Sequence, residues 1–423
     1  MKKLAAACLA LTALAAGGCG SSGSASGKTV VTFANWAAAE PATAPGIAAM
    51  IKKFEALHPK IDIKSEPISF TDIEHQLVLE VQSGNPPDVA ELQGNYLYTL
   101  AATQDLQPLG GYGSGAFSKS VIGSELKLGE LGGQLDAIPW TVGPIGLWYN
   151  KAVMKQAGLK PAPPATWDQL LSDAKAIHKK LPKVIVLGMD TTSREFALDA
   201  AWPVMTSFGA VPFSGTTSTA DTPAMQSYLS FMRTLAKDGY TPEGQKTGFF
   251  RQPAASNQVA FTVDGPYVKG VAQSINHVSD QKFYQTWGVA RLPTGSAGQH
   301  YSTPTDHQLV MFKNSANKTA AWQFMQFLAT SQYSVLNYTL KYENSIPPLA
   351  SPPAEVAKEL DNPITKSFVK SIIPEVIKPA WGAHYSAAYL DVMAGIQKAM
   401  TSSEPISSVA SGMQTSLKSD LGS

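Results

Sequence analysis

Asp306 and His307, in "TPTDHQ", form an adjacent acid–imidazole pair that could act as a general base. No serine or cysteine with the surroundings of a nucleophile stands near them in sequence. The chain carries no G-x-S-x-G turn, no H-E-x-x-H, no Walker loop and no Cys/His spacing suited to a metal. "GYGSGA", Gly111 to Ala116, satisfies G-x-G-x-x-A, but it follows "LQPL" rather than a strand, so it reads as a loop and not as a dinucleotide site. No cofactor is expected.

What the sequence offers instead is a set of aromatic, amide and acidic residues where strands give way to helices. Trp36 and Glu40 follow the first strand pattern. Gln93, Asn95 and Tyr96 follow the third. Trp140 ends "DAIPW", and Asp264, Gly265 and Tyr267 follow "VAFTV". In open α/β sheets ligands bind beyond the carboxyl ends of the strands. A single tryptophan is more often core than site, and Trp148, Trp202, Trp287 and Trp322 sit inside apolar patterns that mark them as core. The residues at the switch points recur by one rule, and that recurrence suggests a binding surface.

These positions need elements to hold them. "TVVTFANW", "KIDIKSEPI" and "PPDVAELQG" read as strands, separated by helices at "GIAAMIKKFEALHP" and "DIEHQLVLEVQSG". The first helix places Ile47, Met50, Ile51, Phe54 and Leu57 on one stripe, and His58 at its end as a cap or surface residue. "DAIPWTVGPIGLWYN" is extended. "TWDQLLSDAKAIHKKL" is a helix capped by Thr166. "KVIVLGMD" and "WGVARLPTG" are strands, "QVAFTVDGPYVKGV" a strand running into a helix, and "NKTAAWQFMQFLAT" and "AAYLDVMAGIQKAM" are helices. Strand–helix alternation of this kind predicts parallel sheets covered by helices.

The N-terminus sets the compartment. Met1-Lys2-Lys3 is basic, Leu4 to Ala16 is apolar apart from Thr12, and small residues follow, which is the order of a secretory signal. The chain holds 2 cysteines, Cys8 inside that apolar run and Cys19 just after it, so cleavage leaves one thiol and no intrachain disulfide. The stretch "LAAGGCGSSGSASGK" resembles a bacterial lipoprotein signal, with Ala16 where the usual pattern has leucine; the resemblance implies a lipid on Cys19. The Gly/Ser run behind it, 19–28, is a flexible tether. Net charge falls from +1 to −1 on loss of Lys2 and Lys3, which argues against nucleic acid as a partner.

The succession "FEALHPKIDIK", "SGNPPDV", "DLQPL", "IPWTVGPIGLWYNKAVMKQAGLKPAPPATWDQL", "AFTVDGPY", "VARLPTG" and "NKTAAWQFMQFLATS" resembles the family 1 extracellular sugar-binding components of ATP-driven (ABC) importers. The family usually has Trp after Gly-Pro; here it is Tyr267. The resemblance implies an α/β, two-lobed periplasmic-binding-protein fold of type 2, each lobe a mostly parallel sheet with helices on both faces and a ligand cleft between them. It implies an N-terminal lobe of 29–140 plus 304–336 and a C-terminal lobe of 141–303 plus 337–423. Crossings are expected near 139–143, 301–305 and 337–342. It further implies a monomer without catalytic activity, held on the outer face of the membrane or in the periplasm, that closes on a carbohydrate and hands it to permease subunits. Hydroxyls would be met by Glu40, Gln93, Asn95, Asp264 and Asp306, and sugar faces by Trp36, Trp140, Tyr267, Trp381 and Tyr385. A polyamine or a glycerol-phosphate-type solute is the alternative ligand, Arg251 being the nearest phosphate candidate; a secreted carbohydrate-active enzyme is a more distant one. Tyr96, Tyr98 and Tyr267 are too dispersed to suggest ferric iron.

Overall fold

The computed structural model describes residues 27–382 and 384–422. The expected signal peptide, Cys19 and residues 19–26 of the tether lie outside them.

The strands named from sequence assemble into two main sheets. The first contains β1 (Thr29–Asn35), β2 (Ile61–Pro67), β3 (Val89–Gln93) and β4 (Ala137–Thr141), joined by β9 (His307–Met311), in the order β2-β1-β3-β9-β4. β1 pairs in parallel with β2 and β3, while β9 runs antiparallel between β3 and β4. The second contains β5 (Gly146–Asn150), β6 (Ile185–Gly188), β7 (Val259–Asp264) and β8 (Trp287–Ala290), in the order β8-β5-β7-β6. Here β5 is the antiparallel member. β3, β4, β7 and β9 are buried from end to end, which explains their near-continuous apolar character.

Each sheet buries its own core. Val31, Phe33, Phe54, Ile138, Leu309 and Phe324 are among the residues that close the first, and Leu147, Trp167, Leu187, Tyr228 and Phe261 are among those that close a second cluster on the other sheet. The helix Ala44–Leu57 buries Ile47, Met50 and Phe54, but Leu57 at its last turn is exposed. His58 ends that helix, its N–H bonded to Phe54 O and its ring stacked on Phe54. Thr166 caps the helix Trp167–Lys180, its hydroxyl accepting from Gln169 N. Trp148, Trp202 and Trp287 are buried; Trp322 is half-buried against Tyr112 and Phe117.

The chain passes between the sheets at 142–145 and 302–306, and the two passages run side by side. Pro144 pairs with Pro304, and Thr305 N donates to Gly143 O at 3.0 Å. Residues 337–342, expected as an extended crossing, are helical. They belong to a widened, π-helical segment, Val335–Glu343, whose Tyr338 lies flat against Trp140 in the first core. The backbone then turns at Asn344, with φ 54°, and Val142 pairs with Ile346.

Candidate binding site

A cleft of about 170 Å³ opens where both sheets present their strand ends to the connecting segments. β1 delivers Trp36. The turn beyond it is held by buried Glu91, whose Oε2 accepts the N–H groups of Trp36 and Ala37 at 3.1 Å. β3 ends at Gln93 and β9 begins at His307, and the two residues face each other in register. Phe70 and Glu40 complete the wall from the first lobe. The second lobe supplies Phe196, Arg251 and Tyr267, and the connections supply Thr305 and Glu343. The cavity adjoins a larger groove of about 610 Å³, which shares Phe70, Phe196 and Arg251 and runs on past Thr192 and Gln245 to Phe249.

Charges in the cleft come in bound sets. Arg251 grips Asp264 with two nitrogens, Nε to Oδ2 at 2.9 Å and Nη2 to Oδ1 at 3.0 Å, and lies over the Tyr267 ring at 5.3 Å. Tyr267 donates its hydroxyl to Thr305 O at 3.0 Å. His307 sits between two carboxylates, Nδ1 2.8 Å from Glu91 Oε1 and Nε2 3.4 Å from Glu343 Oε1. Burial alone would lower its pKa; Glu343, Glu91 and Glu40 outweigh burial and raise it to about 9, so the imidazole is charged at neutral pH. Desolvation, then the nearness of Glu343, raises the Glu40 carboxyl above its usual range. Gln93 is buried and its Nε2 has no partner.

Trp36, Glu40, Gln93 and Tyr267, all expected from the switch points, meet in one cleft. Asp264 stands just behind it as the anchor of Arg251. Gly265 makes room: an added Cβ would lie 2.7 Å from the Tyr267 ring, and its carbonyl takes the Trp148 indole N–H at 2.8 Å.

Other expected residues are placed elsewhere. Trp140 is fully buried and stacks on Tyr338, ring centroids 4.9 Å apart and 11° from coplanar, with His307 edge-on at 6.3 Å. It supports His307 from the core side. Asp306 is buried and accepts Gly143 N–H at 2.7 Å, with Glu125 beside it; burial raises the pKa of both carboxyls. Successive side chains on extended backbone point to opposite sides, so Asp306 and His307 diverge instead of forming an acid–base pair.

Tyr96, Trp381 and Tyr385 gather around Asp199, a residue absent from the sequence expectation, while Asn95 is hydrogen-bonded to Glu195. Asp199 Oδ1 accepts Trp381 Nε1 at 2.8 Å and the Tyr385 hydroxyl, while its Oδ2 has no partner. Burial raises Asp199 to about 8, and Glu195 to about 7 with Glu74 adding to the effect. Gly94 lets Trp381 approach this strand end, an added Cβ there falling 2.8 Å from the indole.

Phe70, Phe196, Thr305, Glu91 and Glu343 were not legible as site residues. Phe70 and Phe196 look like core in sequence, and Glu343 is brought in only by the π-helical turn. Arg251 and His307 are legible as reactive types, but their partners are not.

The pattern of the bacterial extracellular solute-binding protein family matches residues 14–334. An uncharacterized ABC transporter extracellular-binding protein of Pyrococcus horikoshii is 23% identical over 393 residues, covering 88% of this chain and 84% of that one. Among solved structures, the GacH receptor of Streptomyces glaucescens, determined unliganded and with acarbose, superimposes with a TM-score of 0.80 at 20% identity, covering 93% of this chain and 99% of that one. UgpB of Mycobacterium tuberculosis in complex with glycerophosphocholine superimposes with a TM-score of 0.79 at 16% identity, covering 94% and 99%.

Proposed function

Because this chain belongs to the bacterial extracellular solute-binding proteins, we propose that it captures a carbohydrate between its lobes and delivers it to the permease of an ABC importer. One observation carries the carbohydrate reading: four aromatic rings, Trp36, Phe70, Phe196 and Tyr267, line the same small cleft as Glu40, Gln93, His307 and Glu343. Sugars offer flat C–H faces to rings and hydroxyls to amides and carboxylates, and buried polar groups need such partners. The adjoining groove suits an oligosaccharide whose further units lie toward Phe249. Walls drawn from both lobes support hinge closure, since a ligand touching both lobes favours the closed population by the difference in its affinity for the two states. The importer role is supported by the name of the Pyrococcus relative. The reading is of a monomeric binder that makes and breaks no bond, tethered by a lipid on Cys19.

A thermal-shift screen over mono- and oligosaccharides, polyols, polyamines and glycerol phosphates tests the ligand class. A ligand at 100 times its dissociation constant stabilises by about 2.7 kcal/mol, enough to raise the melting temperature visibly. Shifts confined to polyamines or phosphates would overturn the carbohydrate reading. The anchor is tested by Cys19→Ala: release of a still-binding protein from the membrane is expected, and retention would refute lipidation.

A further inference from the structure

The charges lining the cleft do not cancel. Arg251 is taken by Asp264 through two short contacts, and the His307 cation is matched by Glu91 at 2.8 Å. Glu91 has no freedom to turn to a ligand, because its other oxygen holds the Trp36 and Ala37 N–H groups. Three carboxylates, Glu91, Glu343 and Glu40, then share the one His307 cation, Glu343 at 3.4 Å with the Tyr338 hydroxyl on its other oxygen, so the set carries more negative than positive charge, and Glu343 adds to desolvation in disfavouring ionisation of Glu40. Closing the lobes removes water from Glu40 and Glu343, and an uncompensated carboxylate in such a place is costly. Aromatic rings line the same cleft, Trp36, Phe70 and Tyr267, the last already beneath Arg251, and aromatic faces attract cations.

A second observation narrows the ligand. Gln93 is 3% exposed, lines the cleft and has no partner for its Nε2 donor. A ligand that satisfies this site must therefore bring an acceptor as well as a positive charge. A polyamine brings only the charge. A phosphate brings only the acceptors and would meet Glu40 and Glu343 as like charges. Building on the carbohydrate reading, we propose that the cleft selects an amino-bearing saccharide, its ammonium shared by Glu40 and Glu343 and a hydroxyl or ring oxygen taken by Gln93. The small inner cavity holds the charged unit, and the groove beyond Phe70 and Phe196 receives neutral units.

The test uses sugar pairs that differ in one nitrogen: glucosamine against glucose, galactosamine against galactose, and chitosan oligosaccharides against fully N-acetylated chitin oligosaccharides of the same length. Affinities are measured by calorimetry on the whole secreted chain. A charge-assisted contact of about 1.5–3 kcal/mol predicts that amines bind about 10-fold tighter or more. In Glu40→Gln and Glu343→Gln that ratio falls toward one. Glu40 lies at the open rim, so its variant tests the ratio without threatening the fold. If the neutral partners bind equally or more tightly, or the ratio survives both substitutions, the charge assignment is wrong while the carbohydrate reading stands. If no saccharide of either kind binds, both are wrong.

Discussion

His307 shows how one buried side chain can organise a cleft through its partners. Its charge is held by carboxylates on two elements, Glu91 on β3 and Glu343 at the end of the π-helical segment. Replacing Glu91 by Gln removes one of them and leaves an amide oxygen able to accept the Trp36 and Ala37 N–H groups. The imidazole pKa is then expected to drop from about 9 toward its ordinary value near 6.5, readable by NMR titration; an unmoved pKa would mean that Glu343 and Glu40 suffice. At the walls, Trp36→Ala and Tyr267→Ala each remove a ring from a desolvated cleft. A loss of about 30-fold or more in affinity is expected from a chain that still folds, although Trp36→Ala also lowers the melting temperature because Trp36 is only 4% exposed. Unchanged affinity in both would remove these rings from the site. Residue type and position single out part of the cleft wall: Trp36, Glu40, Gln93 and Tyr267 lie at or within a few residues of a strand's end. Phe70 and Phe196 are hidden, because an aromatic lining a cleft has the same neighbours in sequence as one lining a core.

At the scale of elements, strand and helix order was readable because each β-strand is short, apolar and bounded by turn residues. The segment 335–343 was not. Its apolar residues suit a helix or an extended crossing, and only the packing of Tyr338 on Trp140 decides between them. Trp140 is the other side of the same misreading: its position at a strand end suggested a sugar platform, whereas β4 is buried along its whole length. Trp140→Ala should therefore cost stability, about 3–5 kcal/mol in chemical denaturation. A cost below 1 kcal/mol, with binding lost, would restore it to the site. Asn344 ends the π-helical segment in the left-handed region, beside Glu343. Asn344→Gly should keep stability, and Asn344→Val should lose about 1–2 kcal/mol and weaken ligand binding by displacing Glu343.

Across the whole molecule, ionisable groups gather where the lobes meet. Glu74, Asn95 and Tyr96 from the first lobe face Glu195, Asp199, Ser386 and Tyr385 from the second. Glu195 and Asp199 have folded pKa values raised to about 7 and about 8, so the folded protein keeps protons that the unfolded chain gives up near pH 4. Stability from these protons is full below that pH and is lost as pH rises through 7 to 8. His307 acts in the same direction: its raised pKa gives stability that is full below about 6.5 and is lost as pH passes about 9. The melting temperature should therefore fall between pH 6.5 and 9. Glu195 is the group whose ionisation separates lobe opening from global unfolding, because burial and then Glu74 on the opposite lobe raise its pKa, outweighing the Asn95 hydrogen bond from that lobe, which favours the carboxylate. Parting the lobes lets water reach the Glu195 carboxylate and relieves its repulsion with Glu74. Raising the pH from 6 to 8.5 should thus shift the ligand-free protein toward the open form, seen as an increase in radius of gyration by small-angle X-ray scattering. Glu195→Gln cannot ionise and should flatten that response while leaving the His307 contribution to melting in place. An equal response in wild type and variant would place the sensor at Asp199 or His307, away from the Glu74–Glu195 contact between the lobes.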